Sequence, residues 1–214
     1  MKYRIVCFGD SNTWGYNPET GSRYDDDVRW TGRLQNLLGA AYTVVEEGQN
    51  GRTIAIDDPA EGEKNGSKTI VPIMESQNPF DLLIIMLGTN DMKRKFSYVS
   101  MEIAGEMEQF LEKVRCFMKY HMANDPKILL VAPPYVGENI RNSWLGDSFG
   151  YEEAIEKSKG MAEWYRKLAD MFECDFIDMA QYVKASECDS IHLTAQGHEI
   201  VAEKLYEYIM QQGN

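Results

Sequence analysis

Hydrophobic residues in this chain fall into five short apolar runs, separated by longer stretches with a wider period. The runs are Tyr3 to Phe8, Tyr42 to Glu46, Asp81 to Leu87, Lys127 to Ala132 and Asp175 to Met179. Each is rich in branched or aromatic residues, and turn-forming residues follow closely, so each predicts a strand. Asp81 to Leu87, with the sequence DLLIIML, is the most continuous. It predicts a central strand of a parallel sheet, buried on both faces.

Between these runs the apolar residues recur every three to four positions, the period of a helix with one buried face. Val28 to Leu38 predicts a helix that buries Trp30, Leu34, Leu37 and Leu38 and stops at Gly39. Ile70 to Gln77 predicts a short helix. Ser100 to His121 predicts a long one, with a stripe through Met107, Phe110, Leu111, Val114, Phe117, Met118 and His121. Tyr151 to Glu173 presents Met161, Tyr165, Leu168 and Phe172, and a last helix starts with Thr194 as N-cap and buries Val201, Leu205, Tyr208 and Ile209. Asp57 to Lys68 and Tyr135 to Gly150 carry neither period and predict long surface loops. Strand and helix alternating about five times predict an α/β domain with a parallel sheet and helices on both faces. One domain is expected to span residues 1–214.

Composition narrows the function classes. A net charge of −12 argues against nucleic acid or an anionic membrane as the main partner. No apolar run approaches the roughly 20 residues of a membrane span. No signal peptide precedes the first strand, so a cytoplasmic location is expected. The four cysteines, Cys7, Cys116, Cys174 and Cys188, form no C-x-x-C pair and are expected as free thiols. The three histidines form no cluster that suggests a metal site.

In an open parallel sheet, ligands bind beyond the carboxyl ends of the strands. Three of those ends carry small and hydrogen-bonding residues: Gly9-Asp10-Ser11, Gly48-Gln49-Asn50-Gly51 and Gly88-Thr89-Asn90-Asp91. Ser11 is the candidate nucleophile, although Gly-Asp-Ser alone is also ordinary turn chemistry. A serine nucleophile needs a histidine base, an orienting acid and donors for the oxyanion. His121 falls on a predicted apolar stripe, and His198 lies inside the last helix with an exposed position expected. His192 precedes that helix in a loop, three residues after Asp189. One turn then lets Asp189 reach Nδ1 while Nε2 faces a hydroxyl, in the order Ser, Asp, His. The oxyanion donors would be the backbone N–H groups of Ser11 and Gly51 and the side-chain amide of Asn90.

These blocks, in this order, resemble the SGNH (GDSL-type) hydrolase family. Gly9-Asp10-Ser11, Gly51, Gly88-Thr89-Asn90-Asp91 and Asp189-x-x-His192 are similar to its four blocks and span nearly the whole chain. A closer resemblance is to the arylesterase/perhydrolase branch. It is carried by Trp14-Gly15, Asp27-Val28-Arg29-Trp30-Thr31-Gly32, Glu46-Glu47-Gly48, Arg52-Thr53, Ile56-Asp57-Asp58-Pro59 and Ile84 to Asp91. The resemblance implies a flavodoxin-like three-layer α/β/α sandwich around a five-stranded parallel sheet. It implies ester hydrolysis through an acyl-enzyme, without metal or other cofactor, on a small-molecule ester with a short acyl group and an aryl or sugar alcohol. Acyltransferase or perhydrolase side activity and a homo-oligomer stay open. Ser11, Asp189 and His192 take the catalytic roles under this resemblance, with Ser11, Gly51 and Asn90 at the oxyanion. Trp14, Tyr135, Trp144 and Ile191 are candidates for lining the pocket. The chain departs from the pattern at Asn12, where leucine is usual, at Asn50-Gly51, where the branch has Ser-Ala, and in the Tyr135 to Gly150 loop.

Three other readings fit parts of the chain; one, a carbohydrate-binding role without catalysis, leaves the Asp189/His192 pair unexplained. A flavodoxin-like, flavin-binding electron carrier suits the size and acidity, but Asp10 would then lie where a phosphate must sit. A phosphatase with Asp10 as nucleophile would need a second carboxylate where Asn12 stands.

Overall fold

The computed structural model describes residues 2–212. It contains β1 (Tyr3–Gly9), α1 (Ser11–Trp14), α2 (Trp30–Leu38), β2 (Tyr42–Gly48), α3 (Gly66–Gln77), β3 (Leu82–Met86), α4 (Ser100–His121), β4 (Lys127–Ala132), α5 (Gly146–Phe149), α6 (Glu152–Met171), β5 (Asp175–Asp178) and α7 (Ala195–Gln212), with short 3-10 turns between them. The five strands form one sheet in the order β2-β1-β3-β4-β5, and every pairing is parallel.

Strand alternation sorts the side chains into two cores. On β1, Ile5 and Cys7 point to one face, and Val6 and Phe8 to the other. On β3, Leu82, Ile84 and Met86 join the first face, and Leu83 and Ile85 the second. This double burial is why DLLIIML is apolar throughout. The first face is covered by Trp30, Leu34 and Leu38 of α2 and Val201, Leu205 and Ile209 of α7. The second is covered by Ile70 and Met74 of α3, the Met107 to Met118 stripe of α4 and Met161, Tyr165 and Leu168 of α6. The result is the expected α/β/α sandwich.

Several predicted boundaries shift for local reasons. α3 begins at Gly66 because the carbonyls of Thr53 and Ile54 accept from the N–H groups of Gly66 and Ser67 (2.9 and 2.8 Å), which satisfies its first turn from outside. The Tyr135 to Gly150 loop contains a 3-10 turn and α5. Thr194 caps α7 as expected, its Oγ1 accepting from the Gly197 N–H at 3.0 Å.

One histidine stands at the edge of its stripe near the helix C-terminus, as one expectation had it, and another differs from expectation. His121 is exposed at the last turn of α4 and stacks on Phe117, with ring centroids 5.0 Å apart. His198 is fully buried, because the face of α7 that carries it packs on α2, where its Nδ1 accepts from the Trp30 N–H at 3.3 Å. Burial first, then the charge of Arg29, pushes its pKa down to about 3, so it stays neutral. All four cysteines are free. No helix among the described residues is long and apolar enough to cross a membrane.

The register matters most for function. Gly9 pairs with Gly48 on one side and Met86 on the other, so β1, β2 and β3 end level with one another. The three turns that follow open onto one edge of the sheet, where the strand order reverses.

Candidate active site

β1 ends at Gly9, and the chain turns at once into the single helical turn of α1. Asp10 makes that turn: its Oδ1 accepts from the Asn12 N–H at 2.9 Å, and its carbonyl accepts from the Trp14 N–H at 2.9 Å. Burial raises the Asp10 pKa, against that backbone hydrogen bond and the charges of His192 and Arg52. Gly48 lets the turn pack down on the sheet, since a Cβ there would lie 2.2 Å from the Trp14 nitrogen. Ser11 is thereby held at the mouth of the sheet edge.

His192 comes from the opposite end of the chain. Its Nε2 lies 2.8 Å from Ser11 Oγ, and its Nδ1 lies 2.5 Å from Asp189 Oδ2. An ionised Asp189 can only accept, so the ring proton sits on Nδ1 and leaves Nε2 to accept from the serine hydroxyl. The other oxygen of Asp189 accepts from the N–H groups of Ile191 and His192 at 3.0 and 2.9 Å. Burial raises the Asp189 pKa, but the hydrogen bond and charge of His192 and these two amides outweigh it, and the net shift is downward. Ser190 takes a left-handed conformation, φ 64°, to bring Asp189 and His192 to the same side of the loop. That strain is opposed by three short backbone bonds: Ser190 N–H to Ser186 O and Ser186 N–H to His192 O, both 2.7 Å, and Gly137 N–H to Ser190 O at 2.8 Å.

Three candidate donors belong to residues that border one cavity. Among the described residues, the N–H groups of Ser11 and Gly51 meet no protein acceptor. Gly51 has φ 78°, a left-handed conformation that favours glycine, and a Cβ on it would lie 2.2 Å from Glu61 Oε2, so the Glu61 side chain would have to move. Asn90 donates one amide hydrogen to the Arg52 carbonyl at 3.1 Å, which fixes its carboxamide and leaves the second hydrogen free. Arg52 runs back under the turn: its guanidinium donates to the Gly9 carbonyl at 2.7 Å and also to that of Glu47, and it stacks 4.2 Å above Phe8. Burial pushes its pKa down to about 10, against the opposing charges of Glu47 and Asp10. Among the described residues, no group of three or more His, Cys, Asp or Glu side chains is placed to hold a metal ion.

The profile of the GDSL-like lipase/acylhydrolase family matches residues 7–200. The chain belongs to this family. Solved structures agree with the assignment over the full length. The native aryl esterase of M. smegmatis is 35% identical, covers 98% of this chain and 99% of its own, and superposes with a TM-score of 0.90. Est24, a carbohydrate acetylesterase from Sinorhizobium meliloti, is 34% identical, with 99% and 100% coverage and a TM-score of 0.90. A second carbohydrate acetylesterase family member from Sinorhizobium meliloti is 30% identical, with 99% and 98% coverage and a TM-score of 0.87. None of the curated proteins compared with the chain matches significantly.

In this GDSL-like hydrolase, Ser11, Gly51, Asn90, Ile191 and His192 all border one cavity of about 360 Å³, together with Trp144 at its rim. Trp14 and Tyr135 do not border it. The turn of α1 carries Trp14 toward Arg23, whose guanidinium lies 5.2 Å from its ring. Gly15, at φ 90°, then reverses the chain, and Tyr16 reaches the site instead, its ring centroid 4.3 Å from that of His192. Tyr135 borders a separate cavity with Val136, Val183 and Lys184, and its hydroxyl reaches toward Asp178. Sequence reading also missed Glu61, Lys93, Leu145, Ser148 and Phe149. Lys93 is nearly buried and ion-paired to Glu61, which straps the Asp57 to Lys68 loop across Gly51. Opposite charges 32 residues apart leave no local signal in a sequence.

Proposed function

We propose that this hydrolase cleaves small carboxylic esters through an acyl-enzyme on Ser11. The observation that carries the proposal is the continuous contact from Ser11 Oγ to His192 Nε2 and from Nδ1 to Asp189, at 2.8 and 2.5 Å. Oγ attacks the ester carbonyl as its proton passes to Nε2, and the new O–C bond forms while the carbonyl electrons move to oxygen. That oxyanion is held by the N–H groups of Ser11 and Gly51 and the free amide hydrogen of Asn90. On collapse, the bond to the alcohol oxygen breaks and the imidazolium proton goes to the leaving alcohol. Water then repeats the sequence on the acyl-enzyme and releases the acid.

The size and lining of the cavity support a short acyl group and a polar alcohol. At about 360 Å³ the cavity lies near the small end for ligand sites. Leu145, Phe149 and Ile191 offer it an apolar wall, and Asn50, Glu61, Lys93 and Ser148 a polar one. Trp144, 66% exposed at the rim, presents a flat face to an aryl or sugar alcohol. Against the flavin carrier, the buried Asp10 carboxyl occupies the turn where a phosphate would sit.

Hydrolysis of p-nitrophenyl acetate in the presence of a chelator tests the proposal. A burst of one p-nitrophenol per Ser11, and a fluorophosphonate adduct on the peptide containing Ser11, are expected. Rates should fall steeply from acetate to octanoate. No turnover, or an adduct elsewhere, would overturn the reading. Asn90→Ala is expected to lower kcat by about 10²- to 10³-fold, with KM little changed, because it removes a donor aimed at the oxyanion.

A further inference from the structure

We infer that Asn12 is a positioning residue for the base: its carboxamide ties α1 to the backbone on both sides of His192 and so holds Nε2 against the Ser11 hydroxyl. Asn12 can serve the base only if Ser11 and His192 are nucleophile and base, the reading proposed above. Asn12 Nδ2 donates to the Ile191 carbonyl at 3.3 Å, and Oδ1 accepts from the Leu193 N–H at 2.9 Å. The two partners are the residues immediately before and after His192. Asn12 is 1% exposed, so neither bond competes with bulk water. A carboxamide donates and accepts from adjacent atoms at once. Leucine, usual at this position in the pattern the chain resembles, can do neither.

The other backbone groups of the base loop are held from elsewhere. Ser143 Oγ donates to the Asp189 carbonyl at 2.7 Å, Gly137 N–H to that of Ser190 and Ser186 N–H to that of His192. These bonds fix the loop to itself and to the segment after β4. Among the described residues, the Asn12 pair and the Ser11–His192 contact are the hydrogen bonds that join the loop to α1. Asn12 is itself anchored. Its N–H donates to Asp10, and its carbonyl accepts from the Trp30 indole at 3.1 Å. Trp30 in turn donates its N–H to His198. A hydrogen-bonded path therefore runs from α7 and α2 through Asn12 to the base. Nucleophile and base are 181 residues apart in the chain, and their 2.8 Å contact depends on this registration.

The test uses the full chain with Asn12→Leu and Asn12→Ser, and Ser11→Ala alongside, on p-nitrophenyl acetate. Misplacing a reacting group by about 1 Å costs on the order of 10²-fold, so kcat is expected to fall about 10- to 100-fold. KM should stay within about twofold, since ground-state contacts are untouched. The far-downfield proton resonance of His192 Nδ1–H should persist, because Asp189 and His192 move together on one loop. A kcat within about threefold of wild type in either variant overturns the inference. So does a loss carried by KM, or disappearance of the Nδ1–H signal. If leucine is not accommodated, the smaller serine variant decides by the same measures. Failure of both variants to fold makes Asn12 a residue of the fold and also overturns the inference. Full activity in Ser11→Ala would instead remove the underlying reading. Inactive Ser11→Ala beside a wild-type rate in Asn12→Leu removes the positioning role alone.

Discussion

Ser11→Ala and His192→Ala are each expected to lower kcat for p-nitrophenyl acetate by about 10⁴- to 10⁶-fold, and the double variant should be no slower than the worse single one. The reason is geometric. Oγ and Nε2 share one hydrogen bond of 2.8 Å, and in the proposed mechanism neither atom performs its step without the other. Without the hydroxyl there is no acyl-enzyme. Without the imidazole the hydroxyl keeps its proton at neutral pH and the leaving alcohol receives none. Residual catalysis would then come from the donors at Ser11, Gly51 and Asn90, which neither substitution removes. Ser11→Ala removes one hydroxyl at the cavity wall and should melt close to wild type, whereas His192→Ala leaves the buried Asp189 without its ring partner and should melt lower. Stopped-flow and steady-state rates on the three variants check this. Additive losses, with the double variant slower by the product of the single effects, would mean that the two side chains act independently.

Much of the fold was legible because the local and global signals agree. Each strand of the sheet begins within one residue of an apolar run that names it, and the stripe of α4 from Met107 to Met118 matches the face it buries. The misreadings have physical causes. His198 looked like a solvent-facing residue because it follows Gly197 in a polar stretch, and its partner is a backbone N–H on α2, 168 residues away in sequence. α3 looked shorter because its first turn is capped by Thr53 and Ile54 carbonyls, which carry no side-chain signature. That Ser11, Gly51, Asn90, Asp189 and His192 come together was legible because each stands at or near a strand end or a helix start, on the sheet edge where this topology gathers its loops.

The cavity wall was the least legible part. Its residues come from α1 and the turn after it, the turn after β2, the Asp57 to Lys68 loop, the segment after β3, α5 and the residues before it, and the loop before α7, and side-chain direction there depends on turns rather than on periodicity. Trp14 and Tyr16 illustrate the problem. Two residues apart on either side of a left-handed glycine, they point to different surroundings, and the larger aromatic is the one that faces away. The strap from Lys93 to Glu61 is a tertiary fact of the same kind. It brings the Glu61 carboxylate beside Gly51 and pairs it with the nearly buried ammonium of Lys93, so the negative charge that borders the cavity is paired.

Asp91→Asn is expected to stabilise the fold at pH 8.5 and to leave it nearly unchanged at pH 4. Asp91 is fully buried directly after Asn90. Its Oδ1 accepts from the Ile54 N–H at 2.9 Å, while Oδ2 meets no partner among the described residues. Burial first, then the nearby charges of Glu106 and Asp10, raise its pKa from 3.8 to about 7, against the Ile54 hydrogen bond. The folded state therefore binds a proton that the unfolded chain has lost between about pH 4 and pH 7, and stability falls as pH rises through that window. The contribution is fully present below the unfolded pKa and fully lost above the folded one. Three pKa units correspond to on the order of 4 kcal/mol at alkaline pH. Asparagine keeps the acceptor for Ile54 and cannot ionise, so the fall between pH 4 and pH 7 should flatten. The unsatisfied amide costs about 1–3 kcal/mol, as the protonated acid does already at low pH, so the two proteins match at pH 4 and the gain at pH 8.5 is not reduced by it. Urea unfolding of both proteins at pH 4, 5.5, 7 and 8.5 measures the difference. Parallel curves for wild type and variant would show that Asp91 does not titrate in this window. Activity of the variant at pH 8.5 serves as the control for its placement, because Asn90 is anchored through Arg52 and not through Asp91.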